Sequence, residues 1–354
     1  MSAPPFPALR YPFADAPAGG VARDVGPGIR WLRMPLPFAL DHINLWLLAD
    51  GSAWTQVDCG YGNADTRALW RTHFDTTFQG KPLSRVVVTH YHPDHVGNAA
   101  WLSLHFACPV LMPAAEFLTA HAIARGQPGC DIKAMVALFR AHGLGDEHAA
   151  ALEARGNGYL RGVPELPQTY QRLLAGDDIR IGENSWRVIP GYGHAPEHAS
   201  LYCAELGVCI SGDMLLPRIS TNVAVWPTEP EGDPLKRFLE SLRAFDDMPA
   251  DTLILPSHGL PFVGARARVA ELRAHHVARL AELEAAATSP KSAADIVPVL
   301  FRRELDLQQR FFAMGEAIAH LNFLWHAGRL ERSDAGGRIR FVRRETIGRL
   351  PDLN

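Results

Sequence analysis

The run Thr89-His90-Tyr91-His92-Pro93-Asp94-His95 sets three imidazoles and a carboxylate within six positions. Imidazole nitrogens and carboxylate oxygens are the ligand atoms of zinc, iron and manganese. The run follows Arg85-Val86-Val87-Val88, a β-branched apolar stretch that reads as a buried strand. A strand end is a rigid place to hold ligands. With 16 histidines in 354 residues, this histidine spacing should arise by chance roughly 0.03 times per chain. The spacing points to a metal site.

Further ligands should come from elsewhere in the chain, and the same arrangement of apolar strand, small residue and ligand recurs. Trp186-Arg187-Val188-Ile189-Pro190 leads through Gly191-Tyr192-Gly193 to His194. Gly207-Val208-Cys209-Ile210-Ser211 leads through Gly212 to Asp213. Thr252-Leu253-Ile254-Leu255-Pro256 leads through Ser257 to His258. A lone histidine near a turn is usually a surface residue, but that does not explain the repetition.

These motifs, T-H-Y-H-P-D-H, G-H at His194, S-G-D at Asp213 and S-H-G at His258, resemble those of the metallo-β-lactamase-fold hydrolase superfamily, in the same order. Val57-Asp58-Cys59-Gly60 resembles that family's V-D-T-G strand end, with Cys in place of Thr, and His42-Ile43-Asn44-Leu45-Trp46-Leu47-Leu48 resembles its opening strand. The resemblance implies an α+β fold, a four-layer αβ/βα sandwich with a two-metal cleft at one sheet edge. It further implies that His90, His92 and His194 bind one metal, that Asp94, His95 and His258 bind a second, and that Asp213 bridges them. Asp94 and Asp213 are then also the catalytic carboxylates. His92 replaces the Glu of the oxygen-reducing di-iron branch, and His95 and His258 are absent from the persulfide-oxidising branch, so the pattern favours hydrolysis.

Around these ligands, Asp58 is expected to hydrogen-bond a ligand imidazole. His198 is expected behind the ligands or in the pocket, and Tyr192 along the cleft. His42, His73, His275 and His276 have no partner at useful spacing and are given no role.

The balance of 35 basic to 38 acidic side chains offers no case for a polyanionic partner. Hydrophobic content of 47% and charged content of 21% are ordinary for a globular protein. Cys59, Cys108, Cys130, Cys203 and Cys209 are odd in number and lack a C-x-x-C, which fits free thiols in a reducing cytosol. The Pro/Ala/Gly-rich start has no basic then apolar pattern of a signal peptide, and no apolar run reaches the ~18 residues of a membrane span. A cytoplasmic location is expected, with no membrane association.

Residues 1–20 read as a flexible arm and 21–264 as the catalytic domain, with a helical insertion at about 113–175. Helices are expected from Pro113, over 131–142 and over 146–155. The insertion carries Arg125, Arg140, Arg155, Arg161 and Arg172, any of which reads first as a solvated helix face and second as a contact for an anionic substrate group. Residues 265–354 read as a separate unit: a long helix over 265–287, a short one from Ala293, another over about 311–326, and a hairpin over 330–342 around Gly336-Gly337. That order resembles the winged-helix unit of one superfamily branch. His320, Asn322 and His326 in place of a basic stripe favour packing on the catalytic domain over nucleic-acid contact.

The sequence therefore predicts a hydrolase with a dinuclear centre, holding zinc or, by ligand type, manganese or iron. A bridging hydroxide would cleave an ester or thioester of a small molecule. The alternatives are an endoribonuclease or phosphodiesterase of the same superfamily, and a metal-bearing nucleic-acid-binding module.

Overall fold

The strand His42–Asp50 is apolar on both faces: Ile43, Leu45 and Leu47 pack into one core, Trp46 and Leu48 into another. Such a strand must lie between two layers. The computed structural model supplies them and describes residues 8–345. The first residues of the expected arm, 1–7, and the last of the C-terminal unit, 346–354, lie outside the described residues.

The first sheet contains β1 (Arg23–Gly26), β2 (Ile29–Pro35), β3 (His42–Asp50), β4 (Ala53–Val57), β5 (Leu83–Val87), β6 (Val110–Pro113) and β7 (Gln171–Leu173) in spatial order. Its pairs are antiparallel through β4 and parallel beyond. The second sheet contains β8 (Asp178–Ile181), β9 (Asn184–Gly191), β10 (His198–Cys203), β11 (Val208–Gly212), β12 (Leu253–Pro256) and β13 (Phe262–Val263). There only β11 and β12 run parallel. A separate hairpin pairs β14 (Leu330–Ala335) with β15 (Arg338–Arg343).

The helices are α1 (Ala64–Thr76), α2 (Pro93–Val96), α3 (Ala99–Phe106), α4 (Ala114–Ala124), α5 (Ile132–Ala141), α6 (Asp146–Arg155), α7 (Pro234–Ser241), α8 (Ala265–Ala286), α9 (Ala293–Leu300) and α10 (Leu307–His326). α10 begins earlier than its apolar stripe suggests. Asp306 and Gln309 form a reciprocal capping box that starts the helix in a polar stretch.

Distinct cores separate the layers. Trp31, Trp46, Val57, Trp186, Leu201 and Leu255 fill the space between the sheets. Trp70, Phe78, Val86, Val96 and Leu102 pack α1 and α3 on the first sheet. On the far side, Ile254 and Phe262 share one core with Phe238, Leu272, Ile318 and Phe341. The C-terminal helices and hairpin are thus continuous with the second sheet's outer face. Truncating a buried aromatic in such cores costs about 3–5 kcal/mol.

From residue 8 the N-terminal arm lies on the domain. Arg10 exchanges backbone hydrogen bonds with Val263, and Phe13 sits edge-on to Trp31 at 6.1 Å. Among the described residues, no helix is long and apolar enough to cross a membrane.

The sheets meet at one edge, where Asn44 N–H donates to the Ser257 carbonyl (2.7 Å) and Ala199 N–H to the Thr89 carbonyl (2.9 Å). The loops that leave β4, β5, β9, β11 and β12 converge there.

Candidate metal centre

Each half of the molecule brings part of the cluster. The turn after β5 and the short α2 carry His90, His92, Asp94 and His95; the ends of β9, β11 and β12 carry His194, Asp213 and His258. Ligand atoms of His90, His92, His194 and Asp213 lie within 4.8 Å of one another, as do those of Asp94, His95 and His258. Asp213 faces both groups. Its Oδ2 is 3.3 Å from His194 Nε2, while Oδ1 is 3.5 Å from both His95 Nε2 and His258 Nε2.

Surrounding groups fix which ring nitrogen faces inward. His194 Nδ1 donates to the Asn222 carbonyl (2.7 Å) and His258 Nδ1 to the His42 carbonyl (2.8 Å). His95 Nδ1 meets Asp58 Oδ2 at 2.8 Å. Nε2 of each ring is thereby the nitrogen turned to the shared space, the arrangement in which an outer partner orients a ligand histidine.

Asp58 holds this corner together. Its carboxylate also accepts from Thr89 N–H (2.8 Å) and Thr89 Oγ1 (2.9 Å). Its backbone is left-handed at φ 57°, a conformation uncommon outside Gly, Asn and Asp. The strand-end turn needs that conformation to point the carboxylate at His95.

The buried charges of the cluster act on one another. Burial disfavours a proton on His95, but Asp58, Asp94 and Asp213 outweigh it and lift the imidazole to about 10. Burial likewise opposes charge on Asp213, yet His258 and His95 hold it well below the usual carboxylate range. Burial and then the neighbouring imidazoles keep His90 and His92 well below the histidine range, so both are neutral bases. His95 Nε2 and Asp213 Oδ1 are buried with no hydrogen-bond partner. His90 and His92 nitrogens 2.9 Å apart, His90 and His194 nitrogens 3.3 Å apart, and two buried polar atoms without partners form a donor set that fits divalent cations.

His198 is not in either group. It lies behind His90 with ring centroids 5.0 Å apart, and its Nε2 accepts the Asp213 N–H (3.2 Å). A Cβ on Gly212 would fall 2.2 Å from that nitrogen, which explains glycine before Asp213. Tyr192 is not brought to the cluster. The chain turns at Gly193 (φ 95°), leaving Tyr192 exposed with its amide on Ser241 Oγ.

Several residues that spacing does not flag support the centre. His42 supplies the carbonyl that orients His258, and its Nε2 accepts the Gly259 N–H (2.9 Å). Asn44 donates to the Pro256 and Gly259 carbonyls on either side of His258. Glu116, buried on α4, accepts from the amides of Tyr91 and Glu197, tying the ligand-bearing turn to the loop after His194. Burial lifts its carboxyl to about 8. Aromatic side chains pack beside the ligand-bearing turn: Tyr159 Oη donates to the Tyr91 carbonyl (2.7 Å), Trp226 lies 6.4 Å from Tyr91, and Phe311 lies 6.2 Å from Trp226.

A two-sheet sandwich with a His/Asp cluster suited to a pair of cations defines a class of metallo-hydrolase. The chain belongs to the metallo-beta-lactamase superfamily: that family's description matches residues 39–258, and "Metallo-beta-lactamase-like, C-terminal domain" matches 280–344. It is similar to the solved structure of a beta-lactamase domain protein from Burkholderia ambifaria, with 49% identity, a TM-score of 0.88, and coverage of 95% of this chain and 98% of that one. A probable metallo-hydrolase, YqjP of Bacillus subtilis (strain 168), is 25% identical over 306 residues, 83% of this chain and 91% of its own length. A hydroxyacylglutathione hydrolase of Cereibacter sphaeroides is 31% identical over 116 residues, 33% of this chain and 43% of its length.

Proposed function

We propose that this metallo-hydrolase cleaves an ester or thioester of a small molecule in the cytoplasm, using two divalent cations, zinc in the first instance. The observation that carries the reading is the division of Asp213, one oxygen toward His194 and the other toward His95 and His258. His90, His92 and His194 would hold one cation and Asp94, His95 and His258 the other, with Asp213 between them. Cations there supply Lewis acidity and an activated water at neutral pH.

The chain's own residues do the positioning. Asp58 and the Asn222 and His42 carbonyls engage Nδ1 of His95, His194 and His258, so that Nε2 is the inward nitrogen of each ring. Tyr91, Tyr159, Trp226 and Phe311 form a run of aromatic contacts beside the ligand-bearing turn, apolar surroundings suited to an acyl group. The partial match to a hydroxyacylglutathione hydrolase supports an acylated thiol.

The test joins elemental analysis to a turnover screen on acyl thioesters, lactones, β-lactams and bis(p-nitrophenyl) phosphate. Two metal equivalents with ester or thioester cleavage that disappears in His92→Ala is the expected result. Turnover of the phosphodiester alone would overturn the substrate class, and no metal would overturn the centre.

A further inference from the structure

The arginines of the helical insertion have different fates. Arg140 pairs with Asp146, and Arg172 is exposed on the edge strand β7. Arg155 and Arg161 instead bracket a 3-10 turn, Gly158–Arg161, that is folded onto the metal-binding motif.

The attachment is close. Tyr159 Oη donates to the Tyr91 carbonyl (2.7 Å), between His90 and His92. The Gly162 carbonyl accepts from Gly62 N–H (2.8 Å) and lies so near Gly97, just past α2, that a Cβ there would approach it to 2.4 Å. The Tyr61 ring fills the space beside Gly162, where a Cβ would meet Tyr61 Cε2 at 2.1 Å. The turn therefore abuts the segment carrying Asp94 and His95. The Tyr61 phenol reports the same neighbourhood: burial raises it, Arg161 and Arg155 pull it down, and Asp94 pushes it up.

Neither guanidinium has a carboxylate partner among the described residues. Arg155 Nη2 donates to Gln308 Oε1 on α10 (2.9 Å), and Arg161 Nη2 donates to the Arg155 carbonyl (3.3 Å). Neutral acceptors fix the forks without cancelling their charge, and two cations on one turn repel each other. An anion between them removes that repulsion and accepts charge-assisted hydrogen bonds.

We propose that Arg155 and Arg161 form a subsite at the rim of the metal cleft for an anionic group of the substrate, a carboxylate or a phosphate distant from the scissile bond. This deepens the hydrolase reading and rests on it for the position of the reacting carbonyl.

The experiment compares acetyl thioesters of 3-mercaptopropionate, of its neutral amide and of 2-mercaptoethyl phosphate. Wild-type kcat/KM should favour at least one anionic thioester over the amide by about tenfold, as one charge-assisted contact implies. Arg155→Gln and Arg161→Gln should each lower that ratio several-fold, with metal content checked in every preparation. Preference for the carboxylate or for the phosphate arm assigns the group. No wild-type preference, or a ratio unchanged in both variants, overturns the subsite. If no thioester is turned over, the thioester reading fails and the subsite is judged by binding alone. NMR titration of the isolated protein with 3-phenylpropionate and benzyl phosphate should then show weaker binding in both variants, and equal binding overturns it.

Discussion

The Asn222 side-chain amide donates to the Glu316 carboxylate across 3.3 Å, while the Asn222 carbonyl takes the Nδ1 proton of His194 at 2.7 Å. A helix of the C-terminal unit thus reaches an imidazole of the candidate metal centre through one intermediary. α10 grips the same loop elsewhere: the Gly315 carbonyl accepts from Val225 N–H (3.2 Å), Asn322 donates to the Pro230 and Gly232 carbonyls, and His326 meets the Glu231 carbonyl. Glu316→Ala should weaken the metal bound at His194 by about tenfold, the lower end for outer partners of metal ligands. Burial lifts the Glu316 carboxyl to about 7, so Glu316→Gln is a close mimic and should restore most of the affinity. Chelator competition measures both, and equal affinities in wild type and Glu316→Ala would rule the link out.

Asp213 faces both ligand groups, whereas His258 belongs to one. Asp213→Ala should lower metal content by more than one equivalent, and His258→Ala by about one, since a site that loses a ligand loses much of its affinity. Elemental analysis after dialysis distinguishes them; identical losses would contradict a shared carboxylate.

Asp58 combines an unusual backbone with a hydrogen bond to His95. Asn tolerates the left-handed region, so Asp58→Asn should keep the melting temperature while reducing metal affinity roughly 10- to 100-fold. Asp58→Ala should lose both, with about 1–2 kcal/mol of added backbone cost. Calorimetry beside metal titration separates the contributions, and an unstable Asn variant would refute the backbone argument.

Gly212→Ala should be severely destabilising, because the new methyl meets His198 Nε2 at 2.2 Å and the backbone sits at φ 55°. A loss of about 1–3 kcal/mol or more is expected. His198→Ala in the same chain should recover part of it by vacating the space. A double-mutant cycle with no coupling would show that the two positions do not press on each other.

Burial holds His73 and His142 down at about 4, below the ordinary 6.5. Between those values the unfolded chain binds more protons, so stability is full above pH 6.5 and is lost as pH falls toward 4. His73→Phe with His142→Phe should flatten that slope, both sites having aromatic neighbours in Trp70 and Phe341. Denaturation midpoints at pH 5 and 7.5 provide the comparison; an unchanged slope would assign the acid sensitivity elsewhere.

The candidate cluster is legible because strand ends are local features: an apolar run, a small residue and a His or Asp are adjacent in the chain. The sandwich follows from the same runs through their resemblance to a known family. His42 and Asn222 leave no such mark, because they act through backbone carbonyls, in the case of His42 on a residue 216 positions away. α10 was expected to begin later because its capping residues, Asp306 and Gln309, look like loop until their reciprocal bonds are seen. Arg155 and Arg161 are indistinguishable from the other insertion arginines until the turn between them is placed on Tyr61 and Tyr91.

The grip of α10 on the loop after β11 also sets an order of assembly. During synthesis His90, His92, Asp94 and His95 leave the ribosome first, and His258 follows much later. Even then the carbonyl that orients His194 is not pinned, because Glu316 and Asn322 are still to be made. A nascent chain halted before α10 would hold all seven residues of the cluster without the contacts that fix the Asn222 loop. The last contacts that hold the loop carrying Asn222 therefore come from α10.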